Sequence, residues 1–347
     1  MITATPLPRQ PSSWQQDFAA AITDPAELAA ALDLPPEWAS NARRAAAVFG
    51  LRVPRSFVAR MRRGDPHDPL LRQVLPLDAE LDEVVGYGVD PLQEARARRA
   101  PGLLAKYRHR ALLVLTGACA MHCRYCFRRE FPYEEERSDT GRWREAIDAI
   151  GADANIREVI LSGGDPLSLG NARLAGLTQA LQAATRDRGG LESLRLHTRN
   201  AIVLPSRVDA GLIEWLRNLP WRTTIVLHVN HAQELSADAL AAIAALRSSG
   251  ALLLNQTVLL AGVNDRGELL AELSRRLHGA GVLPYYLHLP DSVRGSAHFD
   301  VEESRGIDLV DALARELPGY LVPRLVREIP GEEAKFVVAA GLRRRDD

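Results

Sequence analysis

The 347-residue sequence is poor in several features, and each shortage narrows what the protein can be. It has no apolar run near the roughly 20 residues needed to cross a bilayer, and its start, MITATPLPRQ, lacks the charged-then-apolar pattern of a secretory signal. Its net charge is -1, so it has no overall basic field to hold nucleic acid or a membrane surface. These absences favour a cytoplasmic protein that acts on small molecules, without direct nucleic-acid or membrane contact.

Lysine and cysteine are both scarce. Among 43 basic residues only Lys106 and Lys335 are lysines, so any chemistry that needs a lysine amine has two candidates. All three cysteines, Cys119, Cys123 and Cys126, lie within the stretch GACAMHCRYCFRR. Because a reducing cytoplasm keeps thiols free, a cluster of them indicates metal binding or redox chemistry.

Three thiolates this close together suit an iron–sulfur cluster better than zinc, because a structural zinc site takes four protein ligands. Only His122 is near enough in sequence to be a fourth ligand, and its adjacency to Cys123 makes joint tetrahedral ligation awkward. Three cysteines on a [4Fe–4S] cluster leave one iron without a protein ligand, which indicates chemistry at that iron. Zinc and a chance clustering of thiols remain the alternatives.

The pattern of apolar residues changes after the first hundred residues. Residues 1–104 are typical of a mainly helical region interrupted by prolines. From about residue 111, short apolar runs alternate with helical stretches, which predicts a parallel sheet covered by helices. The runs are ALLVLTG, EVILSGG, SLRLHTR, TTIVLHV, LLLNQTVLL and VLPYYLHL. They predict an α/β fold with a partial (β/α)6 barrel over residues 105–300, followed by a C-terminal helix and lysine-bearing loop over residues 301–347.

The cysteine pattern C-x3-C-x2-C after the first barrel strand resembles that of the radical S-adenosylmethionine (SAM) enzymes, with Tyr125 as the aromatic residue before the third cysteine. The resemblance implies a [4Fe–4S] cluster held by Cys119, Cys123 and Cys126, whose open iron binds SAM. It also implies that one electron, from a donor of the flavodoxin or ferredoxin type, cleaves SAM to a 5′-deoxyadenosyl radical. Tyr125 is accordingly expected near the cofactor.

The second barrel strand ends in SGGDPL, which resembles the glycine-rich SAM motif of the same enzymes. Gly163 and Gly164 would let the backbone approach the cofactor, and Asp165 completes the motif. Alone, the same residues would be an ordinary turn between a strand and a helix.

From about residue 100 to 336 the resemblance is specifically to the lysine 2,3-aminomutases, which use SAM and pyridoxal phosphate (PLP) together. The matching stretches are KYRHRALLVLTGACAMHCRYCFRR, LSGGDPL, LRLHTRNAIVLPSRV, HVNH, LLNQTVLLAGVND, PYYLHLPDSVRGSAHF and GYLVP. The implied reaction converts (S)-α-lysine to (R)-β-lysine by moving the amino group to the adjacent carbon.

Four cofactor contacts are implied by this resemblance. Lys335 matches the lysine that binds PLP through its amine, Arg110 matches an arginine at the PLP phosphate, and His228 and Gln256 fall where SAM ribose is contacted. The alternatives are a solvated lysine, a surface arginine and two polar strand ends.

Three substrate contacts are implied in the same way. Arg128 matches the arginine that binds the substrate carboxylate, a task suited to a planar bidentate donor. Asp291 and Glu328 match the two acids that bind the ε-ammonium. Arg128 could instead be a surface charge, and Asp291 a turn residue.

The sequence departs from the lysine-degrading aminomutases in three places: Glu328 replaces an aspartate, the loop PGEEAK is less glycine-rich, and the chain ends at GLRRRDD without their cysteine-bearing extension. REIPGEEAK is closer to the aminomutases that supply β-lysine for elongation factor P (EF-P) and its lysyl-ligase. The sequence therefore favours that pathway, with lysine breakdown as one alternative and a non-catalytic iron–sulfur redox or regulatory protein as another.

Overall fold

The computed structural model describes residues 13–136 and 142–341. Residues 1–12, 137–141 and 342–347 lie outside the described residues, and the last of these segments includes most of GLRRRDD.

A ten-stranded sheet organises the described residues. Its strands, in the same order along the chain and across the sheet, are β1 (Arg98–Ala100), β2 (Leu103–Tyr107), β3 (Arg110–Val114), β4 (Glu158–Ser162), β5 (Ser193–Thr198), β6 (Arg222–Leu227), β7 (Leu252–Val258), β8 (Leu283–His288), β9 (Arg324–Arg327) and β10 (Phe336–Ala339). Neighbours from β3 to β9 are parallel, whereas β1, β2 and β10 join the two edges in antiparallel fashion. The six predicted runs form β3 to β8, which confirms the predicted α/β fold with a mainly parallel sheet.

Helices return the chain from each of the six strands to the next. The α-helices are α1 (Trp14–Ala19), α2 (Pro25–Ala31), α3 (Pro36–Val48), α4 (Arg55–Val58), α5 (Tyr133–Glu136), α6 (Arg142–Ala152), α7 (Asn171–Thr185), α8 (Asn200–Val203), α9 (Ala210–Arg217), α10 (Ala237–Arg247), α11 (Gly267–Gly279) and α12 (Glu303–Glu316). Short 3₁₀ turns lie at Leu71–Gln73, Asp78–Leu81, Glu94–Ala97, Pro166–Ser168, Arg186–Arg188, Pro205–Arg207, Ala232–Glu234, Ala297–Phe299 and Gly319–Leu321. Capping residues mark the starts of helices. For example, the Asp209 side chain caps α9 by accepting from the Leu212 amide at 2.7 Å.

The apolar core lies between the sheet and its helices. Leu161, Leu196 and Ile225 occupy adjacent positions on β4, β5 and β6 and are buried together in this core. Alternate residues point to the other face of the sheet, as strand geometry requires, and there the side chains include Arg195 and His197. The inner face of the barrel is therefore polar, unlike the apolar interior of a barrel filled by its own side chains.

The N-terminal helices share a core with the barrel. One buried cluster joins Phe57 and Leu71 to Met121 in the cysteine loop and to Val203 in α8. The Arg60 side chain also donates to the Glu234 carbonyl at 2.7 Å. The division proposed between residues 104 and 105 falls inside β2, which pairs with β1 on one side and with β3 on the other. The N-terminal region thus packs on the barrel and contributes β1 and the first part of β2 to its sheet.

No helix in the described part of the chain combines the length and the apolar character needed to cross a bilayer.

Candidate active site

The three cysteines lie on the loop that follows β3, and buried ion pairs hold this loop. The Arg124 side chain is fully buried and donates to both carboxylate oxygens of Glu80, at 2.9 and 2.6 Å. Arg129 donates to the same carboxylate at 2.8 Å. Because Glu80 belongs to the N-terminal region, that region fixes the loop from outside the barrel.

The electrostatic surroundings of the thiols suit metal binding, which requires thiolates. Burial raises the pKa of all three thiols, that of Cys126 to about 11. Guanidinium groups near each thiol act in the opposite direction. The pairs are Arg52 with Cys119, Arg199 with Cys123, and Arg128 and Arg129 with Cys126. The chain thus supplies positive charge around a site that would bind an anionic thiolate cluster.

The arrangement does not favour zinc. Among the described residues, no group of three histidine, cysteine or acidic side chains is placed to hold a single metal ion. His122 is engaged elsewhere, since its Nδ1 lies 2.7 Å from the Gly50 carbonyl and its ring stacks on Phe49. Three thiols that do not converge on one ion fit a cubane, in which each cysteine binds a different iron.

The glycine motif after β4 packs directly against the cysteine loop. Gly163 has φ +125°, and a Cβ there would lie 2.5 Å from the Thr116 carbonyl oxygen. A Cβ on Gly164 would lie 2.6 Å from the Ala118 carbonyl oxygen. The two glycines therefore permit a close backbone contact that positions the first cysteine relative to β4.

Asp165 and Tyr125 are committed to holding the loops in place. The buried Asp165 carboxylate accepts from the Leu167, Arg199 and Asn200 amides at 2.9, 2.7 and 2.8 Å. The Tyr125 hydroxyl accepts from the Asn230 side chain at 2.6 Å and from the Arg199 guanidinium. Both side chains thus hold the loops that surround the expected cofactor site, and the cofactor contacts expected of them stay predictions.

Four side chains inside the barrel carry buried nitrogen atoms without a hydrogen-bond partner in the described structure: the Nε2 atoms of His197, His228, Gln256 and His288. Burial lowers the pKa of His228 to about 4, and those of His197 and His288 lie well below the usual value for the same reason. All three imidazoles are therefore neutral at pH 7. Since buried polar atoms are normally paired, these four indicate a space shaped for a polar ligand and fit the SAM contacts expected of His228 and Gln256.

Glu328 binds both lysines of the chain. Its Oε2 accepts from Lys335 Nζ at 2.8 Å, and its Oε1 accepts from Lys106 Nζ at 3.1 Å and from the Tyr107 hydroxyl at 2.8 Å. Burial alone would raise the pKa of Glu328, but the two ammonium groups outweigh it and hold the pKa below its usual range. Glu328 is thus ionised, and it orients the amine that is expected to bind PLP.

Asp291 has no such partner. Its carboxylate makes no hydrogen bond or ion pair within the described residues. Burial raises its pKa to about 7, with a further rise from Glu328 and Glu94 and a partial offset from Lys335 and Lys106. A half-buried carboxyl group without a partner gains from the arrival of a cation, as the expected contact with an ε-ammonium requires.

Two arginines near the lysine loop lack acidic partners among the described residues. The Arg110 guanidinium lies 4.2 Å from the centre of the Tyr107 ring, and the Arg324 guanidinium lies 5.2 Å from that of Tyr286. Both lower the pKa of Tyr286, although burial, the larger effect, leaves it at about 12. Two arginines without acidic partners suit a phosphate group, which fits the role expected of Arg110.

Arg128 is buried, but it already holds a carboxylate. Its Nε and Nη2 donate to Glu94 at 2.8 and 2.7 Å, and its Nη1 donates to Ser162 Oγ at 3.0 Å and to the Gly163 carbonyl at 3.2 Å. The structure thus places Arg128 at the site but pairs it with an acid that the sequence did not indicate.

Sequence reasoning missed several residues of this site. They are Glu94, Tyr107, His197, His288 and Arg324. Lys106 had one usable signal, because a chain with two lysines gives each of them weight as a candidate.

Comparison with known proteins identifies the family. The Radical SAM superfamily model matches residues 113–273. A protein named L-lysine 2,3-aminomutase from Escherichia coli strain K12 is 43% identical over 333 residues, 96% of each chain. The protein of that name from Haemophilus influenzae is 40% identical over 96% of this chain and 98% of its own. A third, from Clostridium subterminale, is 35% identical over 79% of this chain and 65% of its own.

The match decides between the classes considered from the sequence. Radical SAM enzymes carry a [4Fe–4S] cluster and SAM, and lysine 2,3-aminomutases, which are isomerases, use PLP in addition. These are the cofactors predicted from the sequence, and a non-catalytic iron–sulfur protein is not supported. At 43% identity over nearly the whole of both chains, this protein belongs to the lysine 2,3-aminomutase family of radical SAM enzymes.

Proposed function

We propose that this protein converts (S)-α-lysine to (R)-β-lysine by moving the amino group from Cα to Cβ. The observation that carries the proposal is the half-buried Asp291 carboxyl, which has no partner in the described structure and lies within electrostatic range of Glu328 and Lys335. A cationic chain end is the ligand that such a carboxyl favours. Lys335, whose Nζ donates to Glu328 Oε2 at 2.8 Å, is the residue proposed to bind PLP.

Each end of the substrate has a proposed partner. Asp291 and Glu328 bind the ε-ammonium, and Arg128 binds the α-carboxylate. Requiring both acids would select for chain length, because a shorter diamino acid could not reach them.

The cofactors have proposed partners as well. His228 and Gln256 have buried unpartnered nitrogens to offer SAM, and Arg110 and Arg324 offer charge to a phosphate. When bound, SAM on its cluster supplies the radical that abstracts hydrogen, and PLP supplies the conjugated system that lets the nitrogen migrate. The protein binds, orients and excludes water.

Product analysis tests the proposal. Anaerobically reconstituted protein with SAM, dithionite and L-lysine should yield β-lysine, whereas Asp291→Asn should keep its PLP and lose most of the lysine affinity. An Asp291→Asn variant that lost PLP but kept its affinity for lysine would make Asp291 a cofactor residue.

The product is proposed to serve EF-P and its lysyl-ligase rather than lysine breakdown. Support comes from Glu328 and from the loop PGEEAK, the two places where the sequence departs from the lysine-degrading aminomutases within the matched region. The enzyme would act in the cytoplasm, where thiols stay reduced, with a flavodoxin or ferredoxin as electron donor.

A gene deletion tests the pathway. The intact mass of EF-P from the deletion strain should be lower by one β-lysyl group, and added (R)-β-lysine should restore it. Normal EF-P mass with loss of growth on lysine would instead favour the catabolic pathway.

A further inference from the structure

Arg128 has almost no hydrogen-bonding capacity left for a substrate. A guanidinium group has five N–H donors. Glu94 takes one from Nε and one from Nη2, while Ser162 and the Gly163 carbonyl take the two on Nη1. The remaining donor is a single N–H on Nη2. A second carboxylate could therefore not bind Arg128 in bidentate fashion while Glu94 and the strand end keep their places.

We propose that Glu94 and the substrate's α-carboxylate bind Arg128 in exchange for one another, so that Glu94 sets the affinity of the site for its substrate. This inference rests on the proposed function. It adds a residue that determines affinity and a movement that accompanies binding.

The balance of hydrogen bonds favours displacement of Glu94 over displacement of the strand end. Releasing Nη1 would leave the buried Ser162 hydroxyl and the Gly163 carbonyl without their charged donor. Releasing Glu94 replaces one carboxylate by another on the same two donors, so the charge-assisted pair is conserved. Glu94 then returns to water, which an acidic side chain favours.

Glu94 is also electrostatically incompatible with a bound substrate carboxylate. It already contributes to the raised pKa of Asp291, so three acids, Glu94, Asp291 and Glu328, share this site. A fourth negative group beside Arg128 would face Glu94 across a single guanidinium. Exchange removes that repulsion and keeps the charge around Arg128 constant.

The segment that carries Glu94 contains a strained backbone conformation, which favours its release. Glu94 begins a 3₁₀ turn directly after Gln93, a non-glycine residue with φ +50°, and the preceding Val85 is fully exposed. The Asp90 carboxylate holds the turn by accepting from the Glu94 amide at 2.9 Å. A left-handed non-glycine residue is strained, so releasing the turn relieves strain.

The same segment is tied to the loop of Asp291. The Gly88 amide donates to the Ser292 carbonyl at 3.0 Å, and the Arg294 amide donates to the Gly88 carbonyl at 2.9 Å. When the carboxylate of a substrate displaces Glu94, these hydrogen bonds would therefore also shift the Asp291 loop, which is proposed to bind the substrate's ammonium end.

Equilibrium dialysis with labelled lysine tests the exchange, using protein loaded with cluster and PLP but without SAM, so that no turnover occurs. Glu94→Gln should bind L-lysine about tenfold or more tightly than the wild type, because the competing charge-assisted pair is weakened. L-lysinamide, which lacks the carboxylate charge, should bind both proteins equally. Glu192→Gln, which removes an acid from the exposed pair with Arg157, is the matched control and should change neither affinity.

Whether Glu94→Gln raises or lowers the affinity for lysine decides between exchange and a purely structural role of Glu94. If Glu94 only holds Arg128 in place, Glu94→Gln should bind lysine no better, or worse, and the inference fails. A wild-type protein that does not bind lysine would contradict the proposed function as well.

If Glu94→Gln fails to fold, hydrogen exchange on the wild-type protein still decides between the two. Lysine, but not lysinamide, should speed exchange at the Glu94 amide, and protection by lysine would overturn the proposal.

Discussion

The carboxyl group of Asp291 should make lysine binding depend on pH near neutrality. Its pKa is raised to about 7 by burial, and only the ionised form can pair with an ammonium group. The lysine dissociation constant should therefore be about tenfold larger at pH 6 than at pH 8, as expected for a single group with a pKa of about 7. Asp291→Asn should remove this pH dependence and weaken binding about tenfold or more at pH 8.

The same group should reduce stability above neutral pH. Since its folded pKa lies above the unfolded value of 3.8, the folded state holds the proton more tightly. Its contribution to stability therefore falls as the pH rises from about 4 to about 7. Above pH 7, ionised Asp291 lowers the free energy of unfolding by about 4 kcal/mol, which is an upper limit for one carboxyl group. Asp291→Asn should be more stable than wild type at pH 8, and the difference should shrink by about 2 to 3 kcal/mol at pH 5.

Equilibrium dialysis and denaturant unfolding at several pH values measure these two effects. The exposed Asp187 offers a matched control, Asp187→Asn, which should leave the pH dependence of lysine binding unchanged. Wild-type affinity that stays constant from pH 6 to pH 8, together with a destabilised Asp291→Asn, would refute the assignment of Asp291 as the ammonium ligand.

Three further predictions concern the cofactors and the loops that hold them. Cys123→Ala should abolish SAM cleavage and reduce the iron content from about four per chain, whereas full cleavage by this variant would refute the cluster assignment. Borohydride reduction of PLP-loaded protein and peptide mapping should place the label on Lys335, and a label on Lys106 would contradict the alignment of the loop. Gly163→Ala should destabilise the cysteine loop, because its Cβ would meet the Thr116 carbonyl at 2.5 Å; normal cluster uptake and unfolding temperature would contradict this.

The sheet could be predicted because each strand from β3 to β8 carries its own apolar run, and each is followed by a stretch of helical pattern. Local sequence contains that information. The strands β1, β2, β9 and β10 could not be predicted, because they are only three to five residues long and form only against a neighbour already in the sheet.

The charged pairs of the site could not be predicted for a related reason. Lys106 and Glu328 are 222 residues apart, and Arg128 and Glu94 are 34 apart. No local pattern links such partners, and only the folded chain brings them together. Resemblance to a family indicated Arg128 and Glu328 as substrate ligands, but it gave no information on which groups of this chain would already be bound to them.

The fate of the α-nitrogen tests the central claim most directly. Anaerobically reconstituted protein is incubated with SAM, dithionite and L-lysine that carries ¹⁵N at the α-amine, and the product is examined by NMR. The account predicts β-lysine with the label on the C3 nitrogen, because the amino group moves within one molecule. Consumption of SAM without β-lysine, or β-lysine without the label at C3, would contradict it.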